Sequence, residues 1–262
     1  MQKPSHPRGQ RRVAVIGDSI AAGYGLPASY SWPSLLIARL RKAHPQFDWH
    51  LHNASVSGDT TPDAYVRFAD VRRQQPHIIL IALGINDCRR AYSPVVARRI
   101  AYFRRNEQTW WGKNPILRRI GHHLFDQDEK HHAAETASQV PIADFLAILG
   151  WMAQQSLAMH ALPAFLTMSP FAPGLTDSPD FAECPRYNRV IRDIARETGA
   201  ALIEISTPLP AQSWQADHVH LTPQGQEELA RRIFINFHRP PIAPHLELDI
   251  PDSNAKMAPS VD

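Results

Sequence analysis

Short apolar runs alternate with amphipathic stretches along most of this chain, a pattern typical of parallel strands joined by helices. Five runs predict β-strands, at residues 12–17, 48–53, 77–84, 163–169 and 200–205. Five stretches with helical periodicity predict helices at residues 31–44, 61–74, 141–160, 185–199 and 222–238. The third strand, HIILIALG, is apolar on both faces, as a central strand covered by helices on both sides should be. The pattern predicts an α/β fold, a three-layer α/β/α sandwich around a five-stranded parallel sheet.

Two segments depart from this alternation. Residues 89–140, here called the insert, separate the third strand from its helix, whereas such connections usually have about 2–6 residues. The insert has helical stretches of its own. Residues 239–262 are proline-rich and lack periodicity, so we expect an extended or disordered tail. The expected organisation is a single domain over residues 1–238, with the insert as a helical insertion and the tail behind it.

Composition and charge narrow the class of protein. The 262 residues are 44% apolar and 20% charged, as in a globular enzyme. No run approaches the ~20 apolar residues of a membrane helix, and the basic start has too short an apolar run for a secretory signal. We therefore expect a soluble cytoplasmic protein, or a periplasmic one if a leader has been removed. Cys88 and Cys184 match no zinc or redox motif, and whether they pair stays open.

Residues able to carry chemistry follow the ends of the predicted strands, where open parallel sheets bind ligands. GDSIAAGYG follows the first strand and places Ser19 on a strand-to-helix turn, SGDTT follows the second with Gly58, and GIND follows the third with Asn86. After the fifth strand, DHVH at residues 217–220 brings one aspartate and two histidines to the turn before the last helix. Acyl transfer needs a nucleophile, a base, an orienting acid and donors for an oxyanion, and these residues supply all of them.

The four blocks resemble those of the SGNH (GDSL-type) hydrolase family, especially its bacterial thioesterase, arylesterase and lysophospholipase branch. The similarity covers about residues 12–87 and 141–238 and leaves out the insert and the tail. It is consistent with a flavodoxin-like sandwich, and the family's D-x-x-H spacing selects His220 rather than His218 as the base. Ile20 replaces the leucine of the family name, a volume-conserving change. The roles that the resemblance implies are nucleophile for Ser19, acid–base pair for Asp217 and His220, and oxyanion-hole donors for Ser19, Gly58 and Asn86.

The resemblance implies a serine hydrolase that cleaves small-molecule carboxylic esters, acyl-lipid or anionic esters among them, through an acyl-enzyme. It implies no cofactor and no metal. Thioester hydrolysis uses the same groups, so the sequence does not separate it from ester hydrolysis. Two alternatives stay open, a carbohydrate acetylesterase and a non-catalytic binding protein built on a hydrolase fold. Acyl-chain length, alcohol group and oligomeric state are left open.

The insert is strongly basic, because residues 89–120 hold nine Lys/Arg and one Glu, a charge of +8 in a chain of net charge +3. One interpretation is a helical lid that presents cations and aromatic rings to an anionic, lipid-like substrate or contacts a membrane surface peripherally. The other is a helical flap whose arginines are simply solvated. Nucleic acid is not expected, because no binding motif accompanies the charge. The histidine-rich residues 121–132 lack the spacing of a metal site.

Overall fold

A five-stranded parallel sheet organises the chain in the computed structural model, which describes residues 9–91, 138–168, 179–205 and 207–248. Its strands are β1 Gln10–Gly17, β2 Asp48–Asn53, β3 Ile78–Ala82, β4 Leu162–Leu166 and β5 Ala201–Ile203. Every pairing is parallel, and the spatial order β2-β1-β3-β4-β5 is the doubly wound, flavodoxin-like order. The predicted fold class is confirmed. Strands β3, β4 and β5 end two or three residues earlier than predicted, because the chain leaves the sheet there to form the loops of its C-terminal edge.

Helices cover both faces of the sheet. They are α1 Ser19–Ala22, α2 Trp32–Ala43, α3 Thr61–Arg73, α4 Ile85–Cys88, α5 Ile142–Ala158, α6 Cys184–Thr198, α7 Pro223–Phe237 and α8 Ile242–Leu246. Single 3-10 turns lie at Ala28–Tyr30, Pro179–Phe181 and Ala211–Ser213. The five long helices that the periodicity predicts are confirmed, each to within two residues at either end. No helix in the described ranges is long and apolar enough to span a membrane.

Alternation along the strands builds a separate hydrophobic core on each face of the sheet. In β1, Val13 and Val15 point to one face, where α2, α7 and α8 pack. Ala14 and Ile16 point to the other face, where α3, α5 and α6 pack. All four side chains are at most 1% exposed, as expected for a central strand with period-two alternation and cover on both sides. The edge of this sheet, and not its faces, is therefore the place left for chemistry.

The expectation of a loose tail is wrong for residues 239–248. Helix α8 packs under the sheet, with Ala243 and Leu246 fully buried. The guanidinium of Arg11 donates to the carbonyl O of Leu246 at 2.8 Å and pairs with Glu247 at 2.6 Å. The apolar positions of this short helix lie among prolines, so they produce no periodic signal. Residues 249–262 lie outside the described residues.

The two ends of the insert meet beside α4. Arg90 and Ser138 form an antiparallel bridge, and the N–H of Gln139 donates to the carbonyl O of Arg89 at 2.9 Å. The chain therefore leaves and re-enters the domain at one point of the sheet edge. Residues 92–137 themselves lie outside the described residues, and so do the predicted helical stretches of the insert.

Candidate active site

Ser19 begins helix α1 directly after strand β1, and a close approach of the helix to the sheet fixes it there. Gly17, the last residue of β1, has no room for a side chain. A Cβ atom at this position would lie 2.8 Å from the Cβ of Ala21 and 2.9 Å from the carbonyl O of Ala82. Ser19 is largely buried on this turn. Its hydroxyl is therefore held at the C-terminal edge of the sheet by rigid elements on both sides.

His220 connects Ser19 to Asp217. The Nε2 atom of His220 lies 2.9 Å from the Oγ atom of Ser19, and its Nδ1 atom lies 2.6 Å from Oδ2 of Asp217. Because an ionised carboxylate only accepts hydrogen bonds, Nδ1 carries the proton and Nε2 is left to accept from the serine hydroxyl. The three groups have the contacts of a nucleophile, a base and an orienting acid.

A tight turn holds the carboxylate of Asp217. Its Oδ1 atom accepts the backbone N–H groups of Val219 at 3.0 Å and His220 at 2.9 Å, while Oδ2 faces the imidazole. Partial burial raises the pKa of Asp217, but the hydrogen bonds from His220 and Val219 outweigh burial, so the pKa lies below its ordinary value. Asp217 is therefore ionised at neutral pH and is placed to stabilise a positive charge on His220.

An aromatic ring stacks on the imidazole. The rings of Tyr24 and His220 have centroids 4.2 Å apart and planes inclined by 28°. Gln215 ties the two together, because its Nε2 atom donates to the carbonyl O of Tyr24 at 3.0 Å and its backbone N–H donates to the carbonyl O of His220 at 2.8 Å. Tyr24 was not among the predicted site residues. The position of this tyrosine in the GDSIAAGYG block, together with Ser19, is the sequence feature that indicates a place near the site.

Gly58 and Asn86 lie at the same edge, after β2 and β3. Gly58 has a φ of +87°, and a Cβ atom there would meet nothing within 4 Å, so backbone conformation, not crowding, is what favours glycine. The Nδ2 atom of Asn86 donates to the carbonyl O of Asp59 at 2.9 Å, which fixes the amide against the Gly58 loop and leaves its second N–H. Within the described residues, the backbone N–H groups of Ser19 and Gly58 donate no hydrogen bond. The edge thus offers three N–H donors.

Two acidic residues brace the loops that carry these donors. The Oδ1 atom of Asp87, fully buried, accepts the backbone N–H of Thr61 at 2.8 Å and its hydroxyl at 2.6 Å. Burial raises the pKa of Asp87 to about 6, although the Thr61 hydrogen bonds lower it. Asp59 forms an ion pair with Arg67 of α3. The first contact joins the start of α3 to α4, and the second joins the loop of Gly58 to the middle of α3, so both help to keep this loop beside Asn86.

Asp18 lies on the inner side of the turn that carries Ser19. Its Oδ1 atom accepts the backbone N–H of Ile20 at 2.9 Å, and the residue helps to line a cavity of about 60 Å³ whose other walls are mostly apolar, with Trp32 and Trp214 among them. Burial raises the pKa of Asp18 to about 7, outweighing the hydrogen bond from Ile20, which lowers it. Asp18 is therefore a carboxyl group that is partly protonated at neutral pH.

Gln226 is a second residue near the site that the sequence analysis does not predict, and its buried side chain connects three helices. The Oε1 atom of Gln226 accepts the backbone N–H of Trp32 at 2.8 Å, and its Nε2 atom donates to the carbonyl O of Ile20 at 3.0 Å. Gln226 is 1% exposed. The sequence gives no indication of this buried role, because a glutamine in the first turn of a helix is ordinarily solvated. It locks α7, which follows DHVH, to α1 and α2.

The structure separates the two histidines of DHVH. His220 contacts Ser19 and Asp217, whereas His218 is exposed, has a φ of +60°, and has no side-chain hydrogen bond within the described part of the chain. Of the residues described, no group of three His, Cys, Asp or Glu side chains could hold a metal ion. Residues 121–132 lie outside the described ranges.

This chain is similar in sequence to a known protein family and, over part of its length, to several curated proteins. The sequence model of the GDSL-like Lipase/Acylhydrolase family matches residues 15–228. An arylesterase of Vibrio mimicus is 43% identical over 86 residues, which are 32% of this chain and 42% of that protein. Esterase TesA of Pseudomonas aeruginosa is 41% identical over 83 residues, 31% of this chain and 40% of its own. Thioesterase 1/protease 1/lysophospholipase L1 of Escherichia coli (strain K12) is 38% identical over 83 residues, which are 31% of this chain and 38% of that protein. The chain thus spans about two fifths of the length of these curated relatives.

Solved structures extend the likeness over most of the chain. The crystal structure of TesA superposes with a TM-score of 0.59 at 22% identity and covers 87% of this chain and 98% of that chain. The lipase/acylhydrolase from Enterococcus faecalis gives a TM-score of 0.60 at 18% identity, with coverage of 87% and 95%. These superpositions show the shared fold. Because the family match over residues 15–228 includes all four sequence blocks, the chain belongs to the GDSL-like lipase/acylhydrolase family.

Proposed function

We propose that this protein is a serine hydrolase that cleaves carboxylic esters through an acyl-enzyme intermediate. The observation that carries the proposal is the unbroken contact from Asp217 through His220 to Ser19, with distances of 2.6 and 2.9 Å. A histidine placed between a hydroxyl and an ionised carboxylate can take the hydroxyl proton as the oxygen attacks a carbonyl carbon. The names of the arylesterase and esterase relatives support the same chemistry.

Acylation begins when the Oγ atom of Ser19 attacks the ester carbonyl and Nε2 of His220 takes its proton. The ionised carboxylate of Asp217 stabilises the imidazolium that results. His220 then gives this proton to the leaving alcohol oxygen, and the acyl group stays on Ser19. In the second half, His220 takes a proton from water, the hydroxide attacks the acyl carbon, and Ser19 leaves with the proton returned.

Three N–H groups are proposed to stabilise the tetrahedral oxyanion. They are the backbone N–H of Ser19, the backbone N–H of Gly58 and the second N–H of the Asn86 amide. The hydrogen bond from Asn86 to Asp59 orients that amide before substrate arrives, so little reorganisation is needed during the reaction. Donors of this kind each contribute about 10²–10³ in turnover.

The substrates proposed are small-molecule esters. The same groups act on thioesters, and the name of the Escherichia coli relative includes thioesterase and lysophospholipase activity, so acyl-lipid substrates belong to this proposal. Removal of acetyl groups from carbohydrates is the second candidate, since the solved structures with this fold include an acetyl xylan esterase from Geobacillus stearothermophilus. The length of the acyl chain that is accepted separates the two candidates.

A chain-length series tests the proposal. Hydrolysis of p-nitrophenyl esters from acetyl to palmitoyl is measured for the wild type and for Ser19→Ala. We expect turnover by the wild type and none above background by Ser19→Ala. Activity restricted to the acetyl ester would favour the carbohydrate acetylesterase. Equal hydrolysis by both proteins, or none by a correctly folded wild type on esters and thioesters alike, would overturn the proposal in favour of a binding protein.

A further inference from the structure

The two cysteines of this chain meet inside the domain, although 96 positions separate them. Cys88 is the last residue of α4 and Cys184 is the first residue of α6. Their Sγ atoms lie 2.7 Å apart, closer than the roughly 3.5–4.0 Å at which nonbonded carbon atoms pack. Both side chains are buried, with 1% and 6% exposure. Each sulfur is therefore presented to the other and buried away from solvent. The Sγ atom of Cys88 also lies 3.4 Å from the carbonyl O of Ile85 and 3.9 Å from Sδ of Met168.

Contacts that do not involve sulfur hold the same two elements together. The N–H of Arg90 donates to the carbonyl O of Asp180 at 3.0 Å, just before α6. The N–H of Val140 donates to the carbonyl O of Asp87 at 3.1 Å, and the hydroxyl of Tyr187 in α6 donates to the carbonyl O of Val140. These hydrogen bonds lie on both sides of the sulfur pair. These contacts thus hold the end of α4 next to the start of α6, where the two cysteines lie.

We propose that Cys88 and Cys184 form a disulfide bond in the functional protein. A disulfide has a sulfur–sulfur distance of about 2.05 Å, so the two sulfurs, now 2.7 Å apart, have to approach by less than 1 Å to form the bond. Each thiol loses one proton and one electron. The two electrons and two protons convert an external disulfide, either a small-molecule disulfide or the disulfide of a thiol–disulfide oxidoreductase, into two thiols.

Both sulfurs are buried in the folded chain, so the exchange needs a local opening that lets an external disulfide reach one of them. The hydrogen bond between the thiols, and then burial, raise the pKa of the Cys88 thiol in the closed state, so the reactive thiolate forms in the open state. The thiolate of one cysteine attacks the external disulfide and forms a mixed disulfide. The sulfur of the second cysteine then attacks Sγ of the first and expels the external thiolate. Once closed, the buried bond is protected from reductants in solution.

The bond would close a loop of the chain from residue 88 to residue 184. This loop contains α5, β4 and the whole insert, so the cross-link restricts a large part of the unfolded chain and stabilises the folded one. It also fixes α4, whose second residue is Asn86. The proposal concerns the covalent state of the protein and does not depend on the proposed hydrolase activity.

Mass spectrometry tests the bond directly. The wild type is incubated with oxidised glutathione, denatured in the presence of iodoacetamide without reductant, and digested. We expect a peptide pair joined through Cys88 and Cys184, with neither cysteine alkylated. We also expect the melting temperature to be higher without reductant than after reduction in denaturant and refolding with reductant, by at least about 4 °C.

Three variants serve as controls: Cys88→Ser, Cys184→Ser and the double variant. In each, the same change of redox conditions should leave the melting temperature unchanged. If a single variant fails to fold, the peptide measurement on the wild type still decides. Alkylation of both cysteines in the wild type after the oxidative incubation would overturn the proposal, and so would stable mixed disulfides with glutathione in place of the joined peptides.

Discussion

The Nε2 atom of His220 lies 2.9 Å from the Oγ atom of Ser19, across 201 positions of sequence. The two residues follow β5 and β1, which are not neighbours in the sheet. The contact exists because the loop after β5 crosses the sheet edge and is hydrogen-bonded to the segment that follows β1. Gln215 binds the carbonyl O of Tyr24, and Gln226 binds that of Ile20. The proposed base is thus positioned by backbone anchors on both sides of its loop.

The two histidines of DHVH are expected to respond very differently to substitution. His220→Ala removes the group that contacts Ser19 and should lower kcat at least about 10⁴-fold. His218→Ala, at the exposed position of the same turn, should leave kcat close to that of the wild type. Steady-state kinetics on a p-nitrophenyl ester measures both. A larger loss in His218→Ala than in His220→Ala would show that His218 is the base.

Asn86→Ala should lower kcat about 10²–10³-fold while KM changes little, because the amide is proposed to act on charge that develops in the transition state. Asn53→Ala is a matched control. Its amide donates to the carbonyl O of Ala21 near the same sheet edge, and it has no proposed role in the reaction. Melting temperatures check that both variants fold. A wild-type kcat in Asn86→Ala would remove Asn86 from the proposed oxyanion hole.

Tyr24 is expected to position the imidazole through its ring and not through its hydroxyl. Tyr24→Ala removes the stacking on His220 and should lower kcat roughly 2- to 10-fold, the value of one aromatic contact. Tyr24→Phe keeps the ring and should restore kcat. The kcat and KM values of both variants on one ester decide, because a positioning role affects kcat first. An equal loss in both variants would instead point to the hydroxyl.

Asp18 should make the protein less stable as pH rises from about 4 to about 7. Its folded pKa of about 7 lies above the ordinary value of 3.8, so the folded state binds the proton more tightly than the unfolded state within this window. The free energy of unfolding is therefore expected to fall by about 2–4 kcal/mol as the pH rises through this window and Asp18 becomes ionised. Asp18→Asn should flatten this part of the pH profile, whatever its stability at pH 4.

Urea unfolding at several pH values between 4 and 8 measures this effect. Asp87 contributes in the same direction up to about pH 6, because burial raises its pKa as well. The informative quantity is therefore the difference in slope between the wild type and Asp18→Asn. Asp70→Asn, at an exposed position, is the control and should keep the wild-type slope. Equal slopes in all three proteins would contradict a buried, proton-binding Asp18.

The fold was predictable because strong periodicity marks its long elements. The apolar run of β3 indicates a strand buried on both faces, and Ile78, Ile79 and Leu80 are fully buried. Because all strands of a parallel sheet run in the same direction, the loops that follow them lie at one edge of the sheet. The family resemblance supplied the five site residues, and the structure brings Ser19, His220 and Asp217 into contact and Gly58 and Asn86 to the same edge.

What the sequence did not reveal depends on contacts between distant segments. Helix α8 is one short turn among prolines, and only its burial beneath Arg11 and β1 makes it part of the core. Gln226 and Tyr24 have no special local pattern, and their roles come from partners about 200 positions away. The contact between the sulfurs of Cys88 and Cys184 likewise could not be predicted from their spacing.

Covalent labelling by an organophosphonate with a good leaving group tests the central claim most directly. Such a reagent phosphonylates only a serine whose hydroxyl is activated by a base and whose oxyanion is stabilised. Intact-mass and peptide measurements on the wild type should show one adduct, located on Ser19, and labelling should be lost in Ser19→Ala and strongly slowed in His220→Ala. A folded wild type that is not labelled, or is labelled at another serine at the same rate in all three proteins, would contradict a reactive Ser19.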